Sequence, residues 1–529
     1  MADVDTENLR TSKITDFGFK GIPKIMIPKT DDDFRGSDWG ASILKKYLPI
    51  CLSKHKQNAA KIEYYRAYYQ GRQDICEKTR LYSKDSVNNN RITENHALRQ
   101  IDFKVGFLTG EHREYTAKTE LKDDHTLKSE LSTLNKYFTD CNFFAKDKDL
   151  KEWVYNVGVG VTVCKPRTDI IIENNGNYSI SPFFDIENEA PFEIATVSPI
   201  DNFVVYSSGI ENNPLFCISI VEVEKDSDSP SVKTQNEIHI ETRYASFVCY
   251  SNLSYRGLNN LRLETLKTSH YLPIIEHWAN MSRMGIVELN RDLFNSINTL
   301  VSSVADMVVD NANIIYVFKA TDITGEEVRK MVRQGAIVLP AQQIGTNQAP
   351  DLNTITISIP FSGLNEYYEQ RLTQAYDIAG VPLASGAVTS GGDTGQARLL
   401  GGGWNNAYTI IRNDINSLNR GDLALLKLIL FLCKLYPNSP IKKMYASQID
   451  IKYRINQSDN FLVKAQGIAQ LYSTNMPKEL ILKYSGISSD IGTEATAWEE
   501  KDTELRGEKT SQVDDINSET TLKNSTGKS

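Results

Sequence analysis

The stretch GIVELNRDLFNSINTLVSSVADMVVD, Gly285 to Asp310, decides how the rest of the chain is read. It contains no Pro and no interior Gly. Ile286, Leu289, Leu293, Ile297, Leu300, Val304 and Val308 recur every three or four residues, with a second apolar row, Val287, Phe294 and Val301, beside them. Glu288, Asp292, Asn295, Thr299, Ser302, Asp306 and Asp310 run opposite at the same steps, and Arg291 stands at the edge of that polar face. This periodicity predicts one long amphipathic helix, roughly 37 Å from end to end. A surface helix resting its apolar side on a core accounts for the pattern by itself. Any larger role has to come from the remainder of the chain.

The chain has 529 residues, room for several domains. A hydrophobic fraction of 40% and a charged fraction of 24% are those of a soluble globular protein. Net charge is −8, from 67 acids against 59 Lys and Arg. A protein that grips nucleic acid over a wide surface carries an excess of bases, because affinity comes from neutralising phosphates. If this chain handles DNA, it does so loosely or through a local patch. The seven Cys are scattered, no two closer than 23 residues, and their number is odd. That spacing points to reduced thiols in a cytoplasm and away from a disulfide framework or a zinc site. No basic-then-apolar signal pattern opens the chain. The greasiest run, Leu423 to Leu435, is 13 residues interrupted by Lys427, which suits a buried helix and is too short to span a membrane.

Residues 1–37 have little periodicity and read as a loose arm. Helix is expected from Ala41 to Tyr69, bent near Pro49 and stopped by Gly71, then in a segment ending at Gly110, and over 126–160. From Val161 to Ile275 the character changes to short β-rich runs separated by turn chemistry such as Asn174-Asn175-Gly176-Asn177. After the long helix comes a small α/β unit, 313–359. Its strand Ile314–Phe318 leads into a capping box, Thr324-Gly325-Glu326-Glu327, and strands Ala336–Leu339 and Leu352–Ile359 follow. A second helix, capped by Ser362, runs to Gly380. The two helices flank the small unit, so they can lie antiparallel. Residues 383–395 are small and flexible in composition, Gln396–Tyr436 is helical, Gln448–Ile455 a strand, and 459–500 two or three short helices. From Lys501 the chain is polar and reads as disordered.

Local chemistry motifs are weak. Thr526-Gly527-Lys528-Ser529 resembles the end of a phosphate loop, but Leu522 stands where the motif needs Gly. The glycines at 386, 391, 392, 395 and 401–403 follow a helix instead of a strand, so they fit a mobile loop and not a dinucleotide site. No two His fall within a helical turn, as a zinc pair requires. His277 beside Trp278 reads as a packed surface residue. Asp123-Asp124 and Glu326-Glu327 sit at helix starts, where acids are ordinary. No nucleophile is paired with a base, which argues against catalysis, and no cofactor is expected.

The order of parts resembles that of another family. Tyr68-Tyr69-Gln70-Gly71-Arg72-Gln73-Asp74-Ile75, Asn89-Asn90-Arg91-Ile92 with Asn95-His96 and then Asp102 to Gly110, Val197 to Tyr206, Leu272 to Trp278, and Thr394-Gly395-Gln396-Ala397 occur in the order found in portal proteins of tailed double-stranded-DNA bacteriophages, the siphophage-type branch. Asp393-Thr394 in place of two serines and the triple Gly at 401–403 depart from the pattern. The resemblance implies an α+β portal fold assembled as a ring, normally a dodecamer, around an axial tunnel at one capsid vertex. It implies an N-terminal arm 1–37, a wing 38–280 continued by 396–456, stem helices 281–312 and 360–380, a clip 313–359, a tunnel loop 381–395, a crown 457–500 and a tail 501–529. DNA would be packaged and ejected through the tunnel. The partners implied are the terminase large subunit, head–tail connector or adaptor proteins, and the major capsid and scaffolding proteins, with no membrane.

Within that frame, the expected tunnel lining is Glu288, Asp292, Asn295, Thr299, Ser302, Asp306 and Asp310, with the apolar rows buried between subunits. Rings of acid would repel phosphates and keep DNA from sticking. The expected tunnel loop is Val388, Thr389, Ser390, Gly391, Gly392, Asp393 and Thr394. The expected docking residues of the clip are Gln342, Gln343, Thr346, Asn347 and Gln348. The competing readings are a head–tail adaptor, which is usually shorter and lacks the helix–clip–helix order, and a DNA-processing enzyme such as a nuclease or packaging ATPase.

Overall fold

The structure is a computed structural model. It describes residues 21–77, 89–110, 112–121, 124–174, 177–181, 183–225, 233–251, 261–267, 270–311, 315–319, 324–333, 351–355, 360–383, 404–436 and 438–455, and from there only 468–474, 476–478, 480–481, 498 and 501. The chain divides into two compact units, residues 1–456 and 457–529.

The first unit is built around three apolar clusters. One lies beneath a six-stranded sheet. Helix α1 (Ala41–Tyr69) contributes Leu44, Leu48, Cys51 and Leu52 from its first half, and these meet Phe203, Val205, Phe216, Ile218, Ile238, Ile240, Phe247 and Cys249. The sheet is a meander of strands β7 (Asn202–Ser207), β8 (Pro214–Lys225), β9 (Lys233–Thr242), β10 (Ala245–Ser251) and β11 (Arg262–Leu266). Alternation sets its register: Ile218 pairs Ile240, which pairs Phe247, so these apolar side chains line up on one face over the cluster. The sixth strand, β1 (Ile25–Ile27), pairs in parallel with β7. Residues 21–37 are therefore part of the fold, with Ile22, Ile25, Ile27 and Phe34 buried, and the expected loose arm does not extend over them.

The second half of α1 enters the central cluster. There Ile62, Tyr65 and Tyr68 pack with α2 (His96–Thr109), the end of α4 (Phe143–Val157), α5 (Ile286–Asn311) and α7 (Phe361–Ala379). Helix α3 (His125–Asp140) precedes α4, and Asn142 at φ 49° breaks what the sequence predicted as one helix over 126–160. Asp124 caps α3, its carboxylate accepting from the amides of Thr126 and Leu127. A three-stranded sheet is ordered β12 (Ile274–His277), β3 (Gly160–Pro166), β6 (Phe192–Val197), all antiparallel. Strands β4 (Ile171–Asn174) and β5 (Asn177–Ile180) pair antiparallel, with Asn174 opposite Asn177. Helix α8 (Trp404–Leu435) crosses two clusters, placing Ile411 and Leu418 in the central one and Leu425 to Cys433 in the third, against α3, α4 and the pair β2 (Glu114–Ala117) and β15 (Ile449–Lys452).

Between α5 and α7 the described parts are β13 (Ile315–Lys319), α6 (Gly325–Arg333) and β14 (Asp351–Ile355), with β13 and β14 antiparallel. Glu327 accepts from the amide and hydroxyl of Thr324 at 3.0 Å each, the half of the capping box that fixes the start of α6. The expected strand Ala336–Leu339 lies outside the described residues. Helix α7 opens at Phe361 after Pro360, so Ser362 is inside the first turn and not its cap. It ends at Gly380 with φ 64°, a left-handed stop that glycine adopts without strain. In the second unit Tyr472 stacks on Trp498 with ring centroids 5.4 Å apart, and Lys478 donates to the Trp498 carbonyl.

Candidate functional site

α5 is the element on which the expected site residues converge, and its surroundings show which way it faces. Along one side it runs antiparallel to α7: the Asn290 side-chain amide donates to the Ala375 carbonyl at 2.8 Å, and six residues on Ser296 meets Tyr367, hydroxyl to hydroxyl. Val287, Phe294 and Ile297 sit in the central cluster.

The polar row has partners of its own. Glu288 is 3% exposed; its Oε1 lies 2.8 Å from Lys61 Nζ and accepts from the Gly21 amide at 3.0 Å. Lys61 also donates to the Gly21 carbonyl. Asn295 accepts from the Tyr68 hydroxyl and donates to Asp74. Asn298 and Ser302 are fully buried. Here the segment 89–95 lies along the helix as a strap. The Glu94 amide donates to Asn298 at 2.9 Å, the Ile92 amide to Ser302 at 3.0 Å, and the Asn90 amide and side chain to Asp306 at 2.8 and 2.9 Å. Steps of four along a helix advance about 6 Å. Steps of two along an extended chain advance about 6.6 Å. The two periods match, so alternate strap amides meet successive turns of α5.

This corrects the expected lining. Glu288 and Ser302 are buried within their own chain, Asn295 and Asp306 are hydrogen-bonded to it, and none of the four stands on an open face. The buried sector is turned by roughly a quarter of the circumference from the apolar one, at about 100° per residue. It takes half of the apolar rows and half of the polar row. Burying polar groups costs little where each meets a partner; the strap partners Asn298, Ser302 and Asp306, while Lys61 and Gly21 meet Glu288 and Tyr68 and Asp74 meet Asn295. The open sector holds Asp292, whose side chain is 67% exposed beside Arg291 at 3.2 Å, with Leu289, Ser296, Thr299, Leu300, Ser303 and Met307 half-buried. Val308 and Val309 are exposed. The side chain of Asp310, the tunnel-loop residues Val388 to Thr394 and the clip residues Gln342, Gln343, Thr346, Asn347 and Gln348 lie outside the described residues. The sequence signal for the strap was present but unread: Asn298, Ser302 and Asp306 at four-residue steps, opposite Asn90, Ile92 and Glu94 at two-residue steps.

A second polar group anchors the other elements to each other. Arg113 lies 3.1 Å from Asp147 and 2.8 Å from Asp422; Lys151 lies 3.4 and 3.5 Å from the same two acids. Tyr453 donates to Asp422, and His277 Nδ1 is 3.4 Å from it. All are buried or nearly so. Burial alone would raise the Asp422 pKa, but Arg113, Lys151 and His277 hold it well below the usual carboxylate range. Burial lowers the His277 pKa. His277 is thus a core residue at 1% exposure, not the surface residue expected. A Cβ on Gly421 would lie 2.4 Å from its ring, so only glycine lets α8 approach β12 this closely. The two buried pairs of opposite charge link α4, α8 and the approach to β2.

Among the described residues no group of three or more His, Cys, Asp or Glu is placed to hold a metal ion, and no helix is long and apolar enough to cross a membrane. A family model described as phage portal protein, SPP1 Gp6-like, matches residues 48–397, about two thirds of the chain. No curated protein matches it.

Proposed function

The chain belongs to the SPP1 Gp6-like family of phage portal proteins, and from that membership we propose that it is the structural subunit of the ring at one capsid vertex through which double-stranded DNA is packaged and ejected. The observation that carries the reading is the order of parts inside the matched region: a long helix, a small unit containing β13, α6 and β14, and a second helix returning antiparallel to the first. On this reading 281–312 and 360–380 are the stem, 313–359 the clip, 38–280 with 396–456 the wing, 381–395 the tunnel loop and 457–500 the crown. Residues 21–37 join the wing through β1. The ring is a docking platform, first for the terminase large subunit and then for head–tail connectors, with Gln342, Gln343, Thr346, Asn347 and Gln348 of the clip as contact candidates. The subunit is a virion component, contacts major capsid and scaffolding proteins, and catalyses nothing itself.

The tunnel-facing part of α5 is its open sector. Asp292 and Thr299, continued by Asp310, are the acids and small polar groups that remain candidates, and Val388 to Thr394 extend the lining. Symmetry turns each Asp292 into a ring of like charge, which disfavours lasting phosphate contact. Negative-stain electron microscopy of the purified protein with its native mass tests the proposal. Rings with a central hole and a mass of about twelve chains, the cyclic closure expected of such an assembly, support it. A monodisperse monomer, unchanged when scaffolding protein is added, refutes it.

A further inference from the structure

Helix α8 sorts its charges by direction. Its two acids face inward: Asp414 is 3.0 Å from Lys104 Nζ, and Asp422 lies in the buried cluster with Arg113 and Lys151. Its four bases face outward. Arg412, Arg420 and Lys427 are exposed and Lys434 is half-buried. Arg420 reaches toward the Met281 sulfur and the Trp278 ring, and Lys434 Nζ sits 3.9 Å over the ring of the exposed Tyr445. Among the described residues none of the four meets a carboxylate. Between these bases, and just past the last, stand apolar side chains that the fold leaves open: Leu423 at 37%, Phe431 at 36% and Leu435 at 43% exposure. Helical spacing puts Arg420, Leu423, Lys427, Phe431, Lys434 and Leu435 on one face.

The pattern along that face identifies what fits it. Arg420, Lys427 and Lys434 repeat every seven residues, about 10.5 Å apart, with the apolar side chains between them. A partner helix in near-parallel contact presents its own apolar seam at the same seven-residue period, and charges flanking that seam set partner choice. A duplex offers phosphates but no apolar surface for Leu423, Phe431 and Leu435. It is also repelled by the rest of a chain whose net charge is −8. We infer that the outer face of α8 from Arg420 to Leu435 is a docking surface for an acidic amphipathic helix of another protein, with Asp or Glu flanking a row of Leu at heptad spacing. The inference stands on charge and exposure in a single chain and does not depend on the portal reading.

The test uses the full-length protein and a synthetic amphipathic helix, several heptads long, with Glu flanking a Leu row. Fluorescence anisotropy reads its affinity. The triple variant R420E/K427E/K434E is expected to weaken binding at least tenfold. Raising salt from about 0.15 M to about 0.5 M should weaken binding to the unchanged protein in the same direction, since exposed charges are screened. Phe431→Ser should weaken it with charge untouched. If the triple reversal fails to fold, the neutral pair K427Q/K434Q is read instead, with a loss of severalfold expected. Unchanged affinity in a folded charge variant overturns the inference. So does tighter binding of a short duplex through the same three bases. Loss of Lys427 and Lys434 reactivity toward an amine reagent on self-assembly also overturns it, because the face then belongs to a second copy of the chain.

Discussion

Replacing Glu288 with Leu separates a buried helix face from a tunnel wall. The Glu288 side chain is 2% exposed and the Lys61 side chain 6%, and their charged atoms are 2.8 Å apart. Removing the carboxylate takes the opposite charge away from a buried ammonium that also meets the Gly21 carbonyl and the Tyr65 ring. Breaking one side of such a pair costs about 3–5 kcal/mol. For a unit of this size that is a fall in melting temperature of roughly 3–5 °C. Lys61→Met should cost a similar amount, since it takes the opposite charge away from the buried carboxylate. The double variant Lys61→Met, Glu288→Leu exchanges the pair for apolar groups, and such exchanges come out within about 1–4 kcal/mol of neutral, often on the stabilising side. The two single costs should therefore be strongly non-additive. Thermal unfolding followed by circular dichroism, at one protein concentration and one assembly state, measures all three. Wild-type melting in Glu288→Leu, or single costs that simply add in the double variant, would return Glu288 to an open, water-facing position and refute the placement.

Asp306→Ala removes two hydrogen bonds that anchor Asn90. Opening of the strap should become easier by about 1–3 kcal/mol, seen as faster amide exchange at residues 89–95 while exchange in the sheet strands is unchanged. His55 stacks on Phe203 and its Nε2 donates to the Ile200 carbonyl; burial pushes its pKa from 6.5 down to about 4. The unfolded chain then takes up this proton before the folded one. Its contribution is complete above pH 6.5 and falls by about 1.4 kcal/mol per unit as pH drops toward 4. His55→Gln should flatten stability against pH over that window, and an unchanged slope would remove His55 from the account. Asp292→Lys should leave melting within about 0.5 kcal/mol of the parent, as surface changes do, yet slow DNA packaging in assembled heads. Packaging at the parent rate would detach Asp292 from the tunnel.

Period and turn chemistry made the large elements legible. α1, α2, α5, α7 and α8 stand where apolar spacing put them, and Gly380 stops α7 as read. The β-rich character of 161–275 was readable from short runs between turns, but its division into separate sheets was not, because pairing is set by contacts distant in sequence. β1 was missed for the same reason. Its three residues carry no alternation long enough to register, and they form a strand only because Val205 to Ser207 are there to receive them. The break at Asn142 was hidden because helical spacing continues on both sides of it. The buried cluster around Asp422 was invisible, since Arg113, Asp147 with Lys151, His277 and Tyr453 come from four separate parts of the chain and Asp422 from a fifth.

The orientation of α5 shows why a helix can be read correctly and still be faced wrongly. A hydrophobic pattern divides a helix into an apolar and a polar half, on the premise that polar means water. The strap breaks that premise by offering amides to Asn298, Ser302 and Asp306, and with Lys61, Gly21, Tyr68 and Asp74 meeting Glu288 and Asn295, half of the polar row is satisfied inside the chain. The helix then has three sectors. One is buried in its own subunit, around Phe294 and Asn298. One is open and carries Asp292 and Thr299. The third is apolar and half-buried, from Leu289 through Leu300 and Val304, on the side where Ser296 meets Tyr367 of α7. A single chain leaves that third sector half covered. In the proposed ring, the neighbouring copy would cover it while the Asp292 edge stays wet. Three environments along one helix, own core, neighbour and channel, are what a subunit around a hole requires, and a two-faced reading of the sequence has only two of them to assign.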